Sequence, residues 1–123
     1  MSKRNERRNL KSKSFSRSDC PLACALDIFG DAWTLLIVRD LFLGRSRYNE
    51  FLDAGEGIPT NILVNRLRHL ESAGLVYRVL YQERPKRYEY RLTETGRSLG
   101  PAIKAIVKWG MEQMPSTRRS RVG

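Results

Sequence analysis

Apolar residues recur along this chain in helical blocks first and in an alternating block later. In the first, Leu22, Ala25, Leu26 and Phe29 repeat at helical spacing, with Pro21 suited to a first turn and Gly30 to a stop. Asp31 offers a cap to a second helix. There Trp33, Leu36, Ile37 and Leu41 form a stripe that Leu35, Val38 and Phe42 widen, so this helix is expected at the centre of the core. Gly44 ends it. Ser46 is the expected cap of a short third helix that points Tyr48, Phe51 and Leu52 inward, and Gly55–Glu56–Gly57 then makes a turn.

The next stretch, Gly57 to Gly74, organises the rest. Leu63, Leu67 and Leu70 fall on one narrow stripe, expected to pack on Trp33 and its neighbours. Opposite them lie Asn61, Asn65, Arg68 and Ser72, with Val64 and His69 on the flanks. LVYRVLY (75–81) is β-branched and aromatic, and RYEYRL (87–92) alternates strictly, so a β-hairpin is expected with QERPK (82–86) as its loop. Thr93 caps a closing helix striped by Leu99, Ile103, Ile106, Val107 and Gly110, with Trp109 and Met114 beside it. The fold class is mainly α with a small β-hairpin (α+β). Four helices, a hairpin and a helix follow the order of a winged helix-turn-helix domain with extra helices at both ends.

That order gives the polar face of the Gly57–Gly74 helix a use. Asn pairs bidentately with an adenine edge, Arg with a guanine edge, and Val meets a thymine methyl. Thr60, Asn61, Val64, Asn65 and Arg68 are the candidate base readers. Ser46, Arg47 and the hairpin cations Arg84, Lys86 and Arg87 are the candidate backbone contacts, which add affinity and salt dependence. The competing reading of the same helix is an ordinary amphipathic helix with a solvated face.

Charge sharpens this division. The chain of 123 residues carries a formal net charge of +10. Residues 1–18 hold seven cations against Glu6, and Arg118, Arg119 and Arg121 lie in 116–123, so the body is nearly neutral. The expected organisation is a disordered basic arm (1–18), one folded domain (19–115) and a basic tail (116–123). The arm suits a polyanion and could enter a minor groove or add non-specific affinity. No run reaches transmembrane length and no signal-peptide core is visible, so the expected location is the cytoplasm, on nucleoid DNA, with no membrane partner.

Enzymatic readings are poor. His69 is the one histidine, and Cys20 and Cys24 are the two cysteines. These make neither a disulfide framework nor a four-ligand zinc set, and no carboxylates cluster for acid–base work. No cofactor and no metal are expected. Two other classes stay open. A general RNA- or nucleoid-binding protein would bind through its tails, and a winged-helix protein–protein module would carry a neutral or apolar hairpin.

Taken together, Cys20–Pro21, Gly30–x–x–Trp33, Arg47–Tyr48–x–x–Phe51, the spaced Leu63, Leu67, Leu70 and Gly74–Leu75–Val76, and Tyr88–x–Tyr90–x–Leu92–Thr93–x–x–Gly96 resemble the HxlR-type regulators, bacterial relatives of the MarR group. The resemblance spans Cys20 to Trp109. It implies a homodimeric winged helix-turn-helix repressor or activator on an inverted repeat, its terminal helices building the dimer. The apolar stripes agree with that, making Leu22, Leu26, Phe29, Leu99, Ile103, Ile106 and Trp109 the expected dimer residues. Some family members sense oxidants through the cysteine matched by Cys20; a helix N-terminus with Arg17 nearby favours a thiolate there. The chain departs from the family at Gly30–Asp31–Ala32–Trp33, where Gly-Gly-Lys-Trp is usual, and at Pro59, which replaces a small polar residue and leaves Thr60 as a candidate cap.

Overall fold

The structure is a computed structural model and describes residues 19–114. The basic arm at 1–18 and the tail at 116–123 lie outside the described residues. Helix α1 runs Pro21–Phe29, α2 Thr34–Phe42, α3 Tyr48–Leu52 and α4 Thr60–Ser72. Strands β1 (Val76–Glu83) and β2 (Lys86–Leu92) follow, then α5 (Glu94–Arg97) and α6 (Gly100–Gln113).

The core gathers Ile37 and Val38 of α2, Phe51 of α3, Leu63, Leu67 and Leu70 of α4, and Leu75, Val76 and Leu92 of the hairpin. The α4 stripe is fully buried, Leu63 and Leu70 at 0% exposure and Leu67 at 1%. It joins Ile37 and Val38 in this cluster, while Trp33, expected there, is only half-buried beside it. The central placement expected of α2 holds, although Phe42 is exposed. Phe51 meets Tyr90 edge-to-face at 6.5 Å, which seats the hairpin on the helices.

Helix ends differ from expectation in instructive ways. Asp31 caps α2 from three residues back: its Oδ1 accepts from the amides of Trp33 (2.7 Å) and Thr34 (2.9 Å), and the Thr34 hydroxyl donates to its Oδ2. Ser46 does not cap α3. Glu50 reaches back instead, its Oε1 accepting from the amides of Ser46 (2.7 Å) and Arg47 (3.0 Å), and a carboxylate in a first turn also suits the helix dipole. Those amides hold the Glu50 carboxyl below its ordinary pKa. Pro59 occupies the cap position of α4, so Thr60 is the first helical residue rather than the cap.

The hairpin is longer than its pattern suggested. Pairing runs from Val76↔Leu92 to Glu83↔Lys86, which leaves Arg84 and Pro85 at the tip, with the peptide between them cis. The register shifts between Leu80 and Gln82 at Tyr81. The closing helix is split in two. Thr93 does cap α5, accepting from Gly96 N at 3.0 Å while donating to Gly74 O at 2.7 Å. An unbroken helix would need a Pro101 N–H directed at the Arg97 carbonyl; proline has none, and its ring would crowd that oxygen. Leu99 and Ile103 pack on the core. No single helix among the described residues is long and apolar enough to cross a membrane.

One buried polar device sets the approach to α4. Asp40 is 3% exposed, and its Oδ1 accepts from Arg39 (Nη2, 2.8 Å) and Arg45 (3.3 Å). Burial pushes the Asp40 carboxyl above its ordinary pKa, against the pull of both guanidiniums. Arg39 also forks onto Glu56, Nη1–Oε2 at 3.0 Å and Nη2–Oε1 at 2.8 Å. The turn before α4 is thereby tied to α2.

Candidate nucleic-acid interface

Burying Leu63, Leu67 and Leu70 turns the opposite face of α4 outward. Thr60, Asn61, Asn65 and Arg68 are exposed and Val64 is half-buried beside them, so the five candidate readers share one face. Arg66 does not join them. Its Nε lies 3.3 Å from Asp31 Oδ1, and its Nη1 donates to Asn65 Oδ1 at 3.2 Å. His69 Nε2 is 3.2 Å from the Ile28 carbonyl. These two ties fix the inner flank of α4 to the end of α1 and to the segment joining α1 and α2. Burial raises the Asp31 pKa, but the Thr34 hydroxyl, the Trp33 and Thr34 amides and Arg66 together hold it below its ordinary value.

The candidate backbone contacts fall in two groups. Ser46 and Arg47 enter α3 along β2: the Tyr90 amide donates to Ser46 O at 2.7 Å, and Arg47 bridges Glu89 as in an antiparallel ladder. The Arg47 guanidinium lies 3.7 Å above the centroid of the Tyr81 ring, at the register shift in β1. Arg84, Lys86 and Arg87 form the exposed end of the hairpin, and none is ion-paired among the described residues. Between the groups runs an open cleft of ≈ 630 Å³ walled by Tyr48, Tyr81, Tyr88 and Tyr90, with Arg47, Lys86 and Arg87 also lining it. Cations with spare hydrogen-bonding capacity beside aromatic faces suit a phosphodiester backbone.

Three participants were not picked out from the sequence. Glu89 sits amid these cations, and Arg91 pairs with it at 2.8 Å. Arg78 lies over the Tyr88 ring at 4.4 Å and 3.5 Å from Glu71. The strict alternation of Arg87, Glu89 and Arg91 was the available signal for the first two. Arg78 had none, since its partners come from α4 and from the opposite strand.

The expected dimer residues divide. Leu22, Leu26, Ile106 and Trp109 are exposed, at 66%, 47%, 55% and 58%, while Phe29, Leu99 and Ile103 pack against the core. Cys20, exposed, precedes α1; the Ala23 and Leu22 amides hold its thiol below the ordinary cysteine value. Cys24 is half-buried a turn later. Among the described residues no group of His, Cys, Asp and Glu is placed to hold a metal ion.

The HxlR-like helix-turn-helix family model matches residues 28–118. The chain belongs to the HxlR-like helix-turn-helix family. Rv3095 of Mycobacterium tuberculosis, an uncharacterized HTH-type transcriptional regulator, is 47% identical over 91 residues, 74% of this chain and 57% of the relative. The chain thus spans 57% of the length of that mycobacterial relative. YdeP of Bacillus subtilis, also an uncharacterized HTH-type transcriptional regulator, is 36% identical over 107 residues, 87% of this chain and 84% of YdeP. Among solved structures, the reduced form of the redox regulator HypR superposes with a TM-score of 0.72 at 32% identity, covering 81% of this chain and 99% of HypR. The reduced form of the transcriptional regulator YodB from Bacillus subtilis gives 0.66 at 28%, covering 79% and 96%. In this HxlR-like chain α3 and α4 are the helix-turn-helix pair and β1–β2 is the wing.

Proposed function

We propose that this HxlR-like chain is a sequence-specific, double-stranded-DNA-binding transcriptional regulator. It binds an inverted-repeat operator as a homodimer and represses by occupying it, in the cytoplasm on chromosomal DNA. One observation carries the reading: α4 buries Leu63, Leu67 and Leu70 and turns Thr60, Asn61, Val64, Asn65 and Arg68 together to the outside. A helix anchored in that way presents its outward side chains together to a major groove. Ser46, Arg47, Arg84, Lys86 and Arg87 supply the phosphate contacts, and the basic arm at 1–18 adds non-specific affinity. The exposed Leu22, Leu26, Ile106 and Trp109 supply apolar surface for the second subunit.

Selection of bound duplexes from a random pool tests this. The expected product is an inverted repeat with half-sites about 10–10.5 base pairs apart, or a multiple of that. A pool that enriches no sequence overturns the reading. If deletion of residues 1–18 abolishes all binding, the general nucleic-acid-binding alternative takes its place.

The reading includes a redox response at Cys20. Its amide-stabilised, exposed thiol is the observation that favours it, and HypR, a redox regulator, shares the fold. Peroxide oxidises a thiolate to a sulfenic acid as hydroxide leaves. Operator release by peroxide or diamide is expected in the parent protein and lost in Cys20→Ser. Unchanged release in Cys20→Ser removes Cys20 from the mechanism.

A further inference from the structure

A carboxylate in the middle of a surface meant for phosphates is out of place on charge alone. Glu89 is such a group. Its side chain is 17% exposed and lies on the β2 face that also carries Arg87 and Arg91. Its two oxygens divide the neighbouring donors. Oε1 accepts from Arg91 Nη2 at 2.8 Å. Oε2 faces Ser46 Oγ at 3.5 Å and Arg47 Nε at 3.7 Å.

The backbone repeats the same link. The Tyr90 amide donates to Ser46 O, and Arg47 pairs with Glu89 as a bridge. Glu50 meanwhile holds the amides of Ser46 and Arg47 from the α3 side. So Ser46 and Arg47 are gripped by one carboxylate from the helix and by another from the wing. The Arg47 guanidinium, drawn toward Glu89 through Nε, lies on the Tyr81 ring with its remaining N–H groups unassigned to any acceptor among the described residues. A guanidinium has five donors in a rigid fork, so one edge can be held by protein while another meets a phosphate. Arg91 offsets the charge of Glu89 and limits its repulsion of the DNA backbone.

We infer that Glu89 is a positioning residue for DNA binding: it fixes Ser46 and Arg47 at the junction of helix-turn-helix and wing, so that both meet the phosphate backbone in the register that α4 requires. This rests on the DNA-binding reading above. Glu89 touches no base and no phosphate; it acts through Arg47 and Ser46.

The sign of one substitution separates this role from simple electrostatics. Glu89→Gln deletes a negative charge from the DNA face while keeping the side chain's size. Electrostatics alone makes binding tighter. Positioning makes operator binding weaker, by about tenfold, the size of a lost contact between directly coupled residues. In an Arg47→Ala background the same substitution is expected to cost about threefold or less, because the residue it positions is gone. Amide exchange of the DNA-free protein provides a readout that does not depend on DNA: the Tyr90 amide, bonded to Ser46 O, loses protection in Glu89→Gln while the melting temperature stays within a few degrees.

Operator binding by Glu89→Gln that equals or exceeds the parent's overturns the proposal, as does an equal loss in the Arg47→Ala background. Parent protein that selects no duplex from the random pool overturns the DNA-binding reading instead. In that case the Tyr90 exchange result still reports whether Glu89 holds the junction.

Discussion

Asn65→Ala and Arg68→Ala are each expected to weaken binding to the selected duplex by about 1–3 kcal/mol, the discrimination carried by a bidentate base contact, and to relax preference at one base position per half-site. Both side chains are exposed on the outward face of α4, and neither contributes to the buried stripe. The melting temperature should therefore hold. Two other cations serve as controls of opposite kind. Lys86→Ala at the wing removes a phosphate contact, so binding should weaken evenly across sequences and the salt slope should fall by about one. Arg66→Ala lies on α4 between the two readers, yet Arg66 is paired with Asp31. Its loss should appear in stability before it appears in base preference. Gel shifts against the selected duplex and single-base variants, at two salt concentrations, make the comparison. If Asn65→Ala and Arg68→Ala leave base preference unchanged, the reading face is misassigned.

Much of this layout could be seen in the sequence because it follows local periodicity. Leu63, Leu67 and Leu70 fall at helical spacing and are all buried, which fixes the outward face of α4 without further information. The alternation of Tyr88, Tyr90 and Leu92 likewise marks the inward face of β2. What escaped depends on residues distant in the chain or on competition between nearby groups. Ser46 has the chemistry of a helix cap, but α3 begins at Tyr48 with Arg47 in the cap position, so Ser46 stands one residue too early and its hydroxyl faces Glu89, 43 residues away. Nothing in the sequence marks Asp40 as buried; its burial depends on Arg39 and Arg45 pairing with it. Helical spacing already sets Arg66 off the face that carries Arg68, but it does not show the pairing with Asp31, which comes from a separate segment. Leu99, Ile103, Ile106 and Trp109 were all expected at the dimer, yet the first two pack on the core while Ile106 and Trp109 are exposed.

Gly96→Ala is expected to destabilise the fold by about 3 kcal/mol, the upper end of overpacking costs, although alanine is the better helix former. Gly96 is buried in α5 and has no positive φ, so space, not backbone freedom, demands glycine here. A Cβ at this position would lie 2.1 Å from the Leu75 carbonyl oxygen, 3.2 Å from its carbon and 3.0 Å from Leu92 Cδ2. The oxygen cannot give way, because it accepts the Thr93 amide at 3.0 Å. Helix α5 cannot retreat either. Thr93 Oγ1 accepts from the Gly96 amide and donates to Gly74 O, and Gly74 holds φ at 78°, where an L-residue would be strained. An added methyl must therefore break the link between α5 and the start of β1, which is also where the wing leaves the core. For a domain of this size, the melting temperature should drop by about 10–20 °C. The matched control is Gly110→Ala in α6, where nothing lies within 4 Å of the new Cβ. Relief of the glycine penalty in a helix interior should leave that variant unchanged or more stable by up to about 1 kcal/mol. Thermal and urea melts of the two variants decide the matter, and a Gly96→Ala protein as stable as its parent would show that the α5–β1 junction does not hold the wing in place.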